Sequence, residues 1–419
     1  MCADRVFAQG LVAAQGIRAT GKRSKDMLAA AFAIAALYVG STVLTPLYPI
    51  YRDAFGFSQL TVTVIYAVYV VGNLAVLFAF GRLSDQIGRR AASQIALGIT
   101  LLSAMLFLFA QGAGWLIVAR AVNGFAAGLG AGALTAWIAE LEPRKDRARA
   151  SVIASAGNLA GLAVGGILAG LLAQYLPAPL RTVFVVYIVT LIAVALFLSK
   201  APETVKHRVQ SLAELDLHPR LGVPSEIRFQ FLAPACSAFA AFALGGFFAA
   251  LIPGLLTQEL AFSNVAVIGA IVALFFGVAC LSSALTRAVS SWVGMFTGAA
   301  LVFPGVALLI CAETYKSMTL LLVASAVAGA AMALSYRGSL QVVNEIAPSD
   351  RRAEVVSTYL LMCYLGNSVP VLGVGLLSSA LGAPIAHRIF AAVVAALALT
   401  SLLVGTAGRR RMAHKPSPA

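Results

Sequence analysis

The sequence predicts an all-α membrane protein, with twelve transmembrane helices in two pseudo-symmetric six-helix bundles. Three observations predict it. Of 419 residues, 60% are apolar and 11% are charged, whereas soluble proteins carry about 25% charged residues. The apolar residues gather into runs of roughly the 20 that cross a bilayer as helix. Short motifs of the first half recur in the second at a fixed offset. So sparse a charge cannot cover a soluble enzyme of this size, and it excludes a disordered chain. The alternating strands of an outer-membrane barrel would dilute the mean hydropathy below the +0.92 found here.

In chain order, residues 1–27 form a polar, basic N-terminal tail. Its run from Val6 to Ile17 is broken by Gln9, Gly10, Gln15 and Gly16, a poor signal-peptide core, and Met27 is a second candidate start. The first bundle, 28–199, holds spans near 28–48, 60–80, 92–112, 115–138, 151–174 and 182–199. A central loop, 200–229, follows; its prolines and mixed charge suit an exposed linker. The second bundle, 230–407, holds spans near 230–256, 264–285, 292–312, 317–344, 354–378 and 388–407, before a basic tail at 408–419.

The formal net charge is +14, and its distribution sets the orientation. Twenty-four of the 30 lysines and arginines fall on the N-terminal side of the membrane. Arg52, Arg181, Lys316 and Arg388 fall on the other side, and Arg120 and Arg337 within spans. The positive-inside rule then puts both termini in the cytoplasm, where anionic lipid, not nucleic acid, meets the basic loops. A bacterial inner membrane is the expected location.

The repeat is parallel. Phe57-Ser58 recurs as Phe262-Ser263, Glu140-x-x-Pro143 as Glu345-x-x-Pro348, and Arg82 as Arg287, all 205 residues on. Asp146-Arg147 recurs as Asp350-Arg351, one residue short of that offset. An even number of spans separates the copies, which predicts two bundles related by an axis along the membrane normal.

Enzyme chemistry is not expected. The five cysteines form no C-x-x-C pair. His207, His218, His387 and His414 sit in loops or at span ends without metal-ligand spacing. The phosphate-cradling G-x-x-x-x-G-K-[ST] pattern is missing, so ATP-driven pumping by this chain is not expected. No cofactor or metal is implied.

The loop after the second span reads Gly81-Arg82-Leu83-Ser84-Asp85-Gln86-Ile87-Gly88-Arg89-Arg90. Asp85 and Arg89, four apart, can pair on one helical turn. The run resembles the G-x-L-[AS]-D-x-x-G-R-[RK] signature of the major facilitator superfamily, which carries it between its second and third spans. The resemblance extends over twelve spans, two six-span halves and a long central loop. It implies that Asp85 faces the N-terminal end of the eleventh helix. Gly81, Asp85, Gly88, Arg89 and Arg90 would then form a conformational latch that holds the outward-open state. Of that loop the second-half copy, Thr286 to Val293, keeps Arg287 alone, so the latch would be asymmetric.

The fourth span carries Arg120-Ala-Val-Asn123-Gly124 and then Gly128, similar to the R-x-x-x-G-x-x-x-G pattern of family members that use the proton gradient. A membrane-embedded Arg marks a functional site unless it snorkels to the headgroups. The fifth span, with Gly157, Gly161, Gly165 and Gly166, resembles the drug-antiporter pattern G-P-x-x-G-G, except that Leu162 replaces the proline. Gly124, Gly128, Gly161, Gly165 and Gly166 are expected at close helix crossings. Pro46-x-x-Pro49 and Pro202-Glu203-Thr204 are similar to shorter family turns.

Polar residues at helical spacing outline a candidate cavity. Tyr38, Ser41, Thr45 and Tyr48 share one face of the first span, and Tyr66, Tyr69 and Asn73 one face of the second. These are substrate contacts or interhelical hydrogen bonds. The tenth and eleventh spans add Tyr336, Arg337, Gln341 and Asn367. Arg120 and Arg337 are expected to face the cavity. No Asp or Glu lies mid-span; the nearest are Glu140, Glu345 and Glu354, at span ends. Coupling by protons would then use an interfacial acid, or a substrate anion would balance the arginines. The expected function is secondary transport of a small molecule by alternating access, proton-coupled export of a drug-like or amphipathic compound, by a monomer. The alternatives are uptake of a small organic anion and a non-transporting sensor.

Overall fold

The computed structural model of the chain describes residues 23–81, 83–205 and 221–413. Arg82, His207, His218 and His414 lie outside the described residues. All regular elements among the described residues are helical, and twelve are long and apolar enough to cross a membrane. They are α1 (Arg23–Phe55), α2 (Gln59–Ala79), α3 (Arg89–Leu108), α4 (Ala113–Leu141), α5 (Arg147–Tyr175) and α6 (Pro179–Leu198). The second six are α7 (Arg228–Ala250), α8 (Val265–Leu285), α9 (Ser291–Thr314), α10 (Met318–Ile346), α11 (Arg352–Leu381) and α12 (Ala383–Ala413).

The repeat is visible in the helix starts. Ala113 and Met318, and Arg147 and Arg352, stand 205 residues apart. Ser58 caps α2 by accepting from the Thr61 amide, and Asn264 caps α8 by accepting from the Val267 amide. Each cap satisfies one amide that the helix start leaves without a partner. α1 and α7, equivalent in the two halves, both break near the far end. In α1 a 3-10 turn at Thr45–Leu47 surrounds Pro46, which lacks the amide that a continuous helix needs. Past Ala250, α7 gives way to a short piece with Pro253 and a π turn at Leu255–Glu259. Tyr48 therefore starts a new helical segment.

Within each half, α4 packs on α2 and α3, and α10 packs on α8 and α9. The halves meet where α2 lies on α11 and α5 on α8. Gly166 and Gly269 make the second crossing tight: a Cβ on Gly269 would stand 2.4 Å from the Gly166 carbonyl. Small residues let backbones approach where lipid gives no hydrophobic push between helices. Large apolar side chains such as Phe32, Leu102, Val189, Leu196, Leu285 and Leu403 point outward, exposed. That surface suits hydrocarbon.

Several helices run past the expected spans. α12 begins at Ala383, five residues before the span read from hydropathy, because Arg388 and His387 depress the local average. His387 is therefore inside a helix.

Candidate functional site

The loop motif builds a cluster on the face where α3 begins and α4 ends. Gly88 has φ +106°, a conformation open to glycine, and this turns the chain sharply into α3. The turn brings Arg89 back over the loop. Its Nη2 lies 2.5 Å from Asp85, and its Nη1 donates to Ser84 Oγ at 2.8 Å. Nε and Nη2 donate to Glu140 Oε1 at 3.1 and 2.9 Å, tying α3 to the end of α4. The expected Asp85–Arg89 pair is present.

Glu203, in the Pro202-Glu203-Thr204 turn, completes this cluster. Its Oε1 accepts from the amides of Arg89 (3.0 Å), Thr204 (2.9 Å) and Val205 (3.0 Å), and its Oε2 from the Arg90 amide (3.0 Å). Burial raises the carboxyl's pKa, but these four amides outweigh it and hold it below the usual carboxylate range. The acid also sits at the positive end of α3. The Trp137 indole donates to the Pro202 carbonyl at 3.1 Å, and the Thr204 hydroxyl donates to Glu140. The start of the central linker is thus clamped to the first half. Gly81 is exposed at the loop's entry, and Arg90 joins the clamp through its backbone. Asp85 thus pairs with Arg89 of its own half.

The second half solves the same corner differently. Glu345, the copy of Glu140, accepts from Ser291. Arg337 corrects the expectation that it lines the cavity. Its guanidinium reaches the end of α8, donating to the carbonyls of Thr286, Arg287 (2.6 Å) and Val289 (3.4 Å) and to Thr286 Oγ1 (3.1 Å). A helix C-terminus presents orphan carbonyls and a partial negative charge, so a cation fits there without a carboxylate. Hydropathy shows depth along the span but not which side of α10 faces α8.

The centre gathers the other predicted residues. Arg120 is 1% exposed. Its guanidinium carbon stands 4.7 Å from the Tyr69 ring centroid and 5.4 Å from that of Tyr66. Its remaining contacts are long: the Gly40 carbonyl and Asn123 Oδ1, both at 3.5 Å from Nη1. Among the described residues, Nε has no hydrogen-bond partner, and neither does the nearby buried Tyr48 hydroxyl. A guanidinium stacked on aromatic faces gains about 0.5–2 kcal/mol, less than the cost of its desolvation. The rings are placed by glycines. A Cβ on Gly124 would fall 1.9 Å from the Tyr69 carbonyl, and one on Gly72 2.3 Å from the Ala121 carbonyl. α2 and α4 cross there backbone to backbone.

Around this arginine the predicted polar residues bond to one another. Tyr69 Oη and Ser41 Oγ are 3.0 Å apart, and Asn73 donates to the Tyr69 carbonyl at 3.1 Å. Tyr66, which sequence reading placed beside them, donates to Asn367 Oδ1 across the halves at 3.0 Å. Tyr38 lies near Asn158 of α5 and near Tyr336 and Tyr364 of the second half. Gln341, farther along α10, is exposed. Gly128, Gly161 and Gly165 lie at close crossings, the last two against the α1 backbone at Ala35 and Val39.

The halves are closed at the opposite end, where α1 and α7 break. Thr45 Oγ1 donates to the Ala249 carbonyl at 2.8 Å, joining the breaks of α1 and α7. The Val265 amide donates to Gln174 Oε1 at 2.9 Å, joining α8 to α5. Gly375 of α11 lies hard against the Thr63 side chain of α2. A small external pocket between Tyr48, Arg52, Gln59, Ala250 and Gly254 sits over this seal. Towards the termini, Cys280 makes a long 3.8 Å contact with the Ala156 carbonyl.

One pair escaped the sequence reading. Glu313, in the last turn of α9, and His387 of α12 are 8% and 4% exposed, with Oε1 and Nδ1 2.9 Å apart. The sequence reading left His387 in a loop or at a span end and did not single out Glu313. Their separation of 74 residues hides the contact.

Three comparisons bear on this arrangement. The family model described as Major Facilitator Superfamily matches residues 30–370. Quinolone resistance protein NorA of Staphylococcus aureus, from strains Mu50 / ATCC 700699 and N315, is 25% identical over 152 residues. That stretch is 35% of this chain and 39% of each relative, so the match spans well under half of their length. A crystal structure of a bacterial homologue of the human lysosomal transporter Spinster, in an inward-facing and unoccupied conformation, superposes with a TM-score of 0.66. It covers 95% of this chain and 99% of that one at 17% identity, a likeness of fold.

Proposed function

The chain belongs to the Major Facilitator Superfamily, and on that premise we propose that it carries a small molecule by alternating access between its two halves. The observation that carries this reading is Arg120, buried without a carboxylate between Tyr66 and Tyr69 and directly beneath the sealed end. A desolvated cation with an unpaired Nε is costly, and a transporter recovers that cost when the substrate or a hydrated state reaches it. The excess of lysine and arginine in the loops on one side supports cytoplasmic termini and a bacterial inner membrane. In that orientation the sealed end is the outer one, and the protein is closed to the outside.

Export of a drug-like or amphipathic compound against a proton gradient is the favoured direction. The fifth-span glycine pattern and the partial match to a quinolone resistance protein support it. Uptake of a small organic anion is the second reading, favoured by an Arg120 that no Asp or Glu balances. Inverted vesicles decide between them. Accumulation of a fluoroquinolone or a cationic dye in vesicles with an acidic lumen, driven by protons flowing out, supports export. Uptake of a carboxylate by intact cells, lost in Arg120→Leu while inverted vesicles accumulate nothing, supports the second.

A further inference from the structure

We propose that Arg120 and Tyr48 form an anion-binding site reached from the sealed end, and that the Tyr66–Asn367 bond is the bolt that shuts it. This rests on the alternating-access reading and names the ligand chemistry of its central arginine. The ligand is a monovalent anion, supplied as an inorganic halide or as the carboxylate of a transported compound.

Donors collect around Arg120 without acceptors to match. The side chain is 1% exposed, and no Asp or Glu pairs with it among the described residues. Its Nη1 contacts, to the Gly40 carbonyl and Asn123 Oδ1, are both 3.5 Å long, against about 2.9 Å for an ordinary N–H···O bond. Nε and the Tyr48 hydroxyl have no partner among the described residues, and Tyr48 is 2% exposed. Tyr48 lies near both Arg120 and Tyr66. The neighbouring hydroxyls are already used. Tyr69 bonds with Ser41, Tyr187 donates to the Ala36 carbonyl at 2.8 Å, and Thr45 donates to the Ala249 carbonyl. The rings of Tyr66 and Tyr69 offer cation–π attraction but no lone pair for Nε. A buried cation in this setting is matched by an anion that accepts from the guanidinium and a hydroxyl together.

Tyr48 also marks the way in. It lines the external pocket at the seal together with Arg52 and Gln59, so it stands between that pocket and Arg120. Arg52 brings a second cation to the pocket. Its acid, Asp53, is exposed and 3.8 Å away, a loose pair of little worth.

Tyr66 holds the site shut from the side. Its ring centroid is 5.4 Å from the Arg120 guanidinium carbon, and its hydroxyl donates to Asn367 Oδ1 of α11 at 3.0 Å. Asn367 is itself fixed: its carbonyl lies against Gly246 of α7, where a Cβ would stand 2.4 Å away. One residue on, Ser368 Oγ donates to the Ala67 carbonyl at 3.5 Å. These contacts join α2 to α11 about one turn beyond the Thr63–Gly375 contact of the seal. Parting α2 from α11 by more than about 0.5 Å takes the Tyr66 bond out of hydrogen-bond range. Opening the seal therefore frees the ring and admits water and anions to Arg120. An anion that binds this open state better than the closed one shifts the population towards it. The bolt reduces the apparent affinity by the fraction of molecules that stand open.

The test uses the full chain in nanodiscs with its five cysteines replaced by alanine. Spin labels go at Ala54→Cys and Gln258→Cys, both exposed beside the seal. Distances are read by pulsed electron resonance while chloride, or in a second arm benzoate, replaces methanesulfonate at constant ionic strength. The expected result is a long-distance population that grows and saturates. A response to chloride alone identifies an inorganic ion, and a response to benzoate alone identifies a substrate carboxylate. Arg120→Gln should lose the response to both. Tyr66→Phe keeps the ring and removes the bond. It should raise the open fraction and lower the half-saturating anion concentration by the same factor, about two- to tenfold for one hydrogen bond. No response in the parent, or a response that survives Arg120→Gln, overturns the anion site. A Tyr66→Phe midpoint equal to the parent's overturns the bolt, and this midpoint decides if Arg120→Gln does not fold. Distances that change with a cationic dye but with neither anion overturn the proposal and leave the transport reading standing.

Discussion

Gly124→Ala is the sharpest probe of how the central arginine is built. An added Cβ would stand 1.9 Å from the Tyr69 carbonyl oxygen. Close carbon–oxygen contacts run at about 3.3–3.6 Å, so α4 must back away from α2 by roughly 1.4 Å. Backbone cannot step aside as a flexible side chain would, and Gly72 closes the same crossing from the other helix, 2.3 Å from the Ala121 carbonyl. Overpacking of this kind costs about 1–3 kcal/mol. Separating the helices also draws the Tyr69 ring off Arg120, which forfeits about 0.5–2 kcal/mol of cation–π attraction. The sum, about 1.5–5 kcal/mol, lowers the apparent unfolding temperature by roughly 2–6 °C, at about 2.1 cal/mol/K of unfolding entropy per residue. The assay is thermal unfolding of purified protein in detergent, followed by size-exclusion chromatography. Gly132→Ala is the control: it lies on the same helix, and a Cβ there meets nothing within 4 Å. That variant should match or slightly exceed the parent, since alanine is the better helix former. If Gly124→Ala unfolds with Gly132→Ala, the backbone crossing is not what holds the tyrosines on the arginine.

Three further outcomes are expected. Arg120→Leu should abolish transport in vesicles while leaving thermal stability equal or higher, because an apolar side chain removes an unbalanced buried cation; retained transport refutes a role for it at the site. Arg337→Ala should lower stability by about 1–2 kcal/mol through lost helix-end bonds, yet leave substrate affinity unchanged in equilibrium binding; a large loss of affinity would return Arg337 to the cavity. Glu203→Gln should loosen the clamp by about 1 kcal/mol, since one amide oxygen cannot serve donors arranged around two carboxylate oxygens. Glu203 is held below its unfolded pKa, so its contribution is complete above about pH 4.3 and fades as pH falls through the folded value. Proteolysis of the linker against pH should show protection lost on that acid side in the parent, and already lost in the variant.

Much of the fold was legible because it depends on sums over long stretches. Hydropathy gave twelve spans, and the 205-residue offset that pairs Glu140 with Glu345 reappears in the starts of α4 and α10. The Asp85–Arg89 pair was legible for a local reason: four residues make one helical turn. Arg120 was legible as a charge out of place in an apolar run. Its two rings were not, because a ring 51 or 54 residues away reaches it through a glycine crossing between α2 and α4.

What the sequence determined by itself is the architecture: helices, their number, the duplication and the loop that turns on Gly88. These follow from residue type and near-neighbour spacing, which a bilayer makes decisive because every spanning backbone must satisfy its own hydrogen bonds. What only the tertiary structure decided is which polar side chains share a space. Arg337 turned from the cavity to the end of α8, Glu203 closed on the amides of α3, and Glu313 met His387 from another helix. The rotation of a helix about its axis is set by packing against its neighbours, and hydropathy along one strand of sequence carries no record of it.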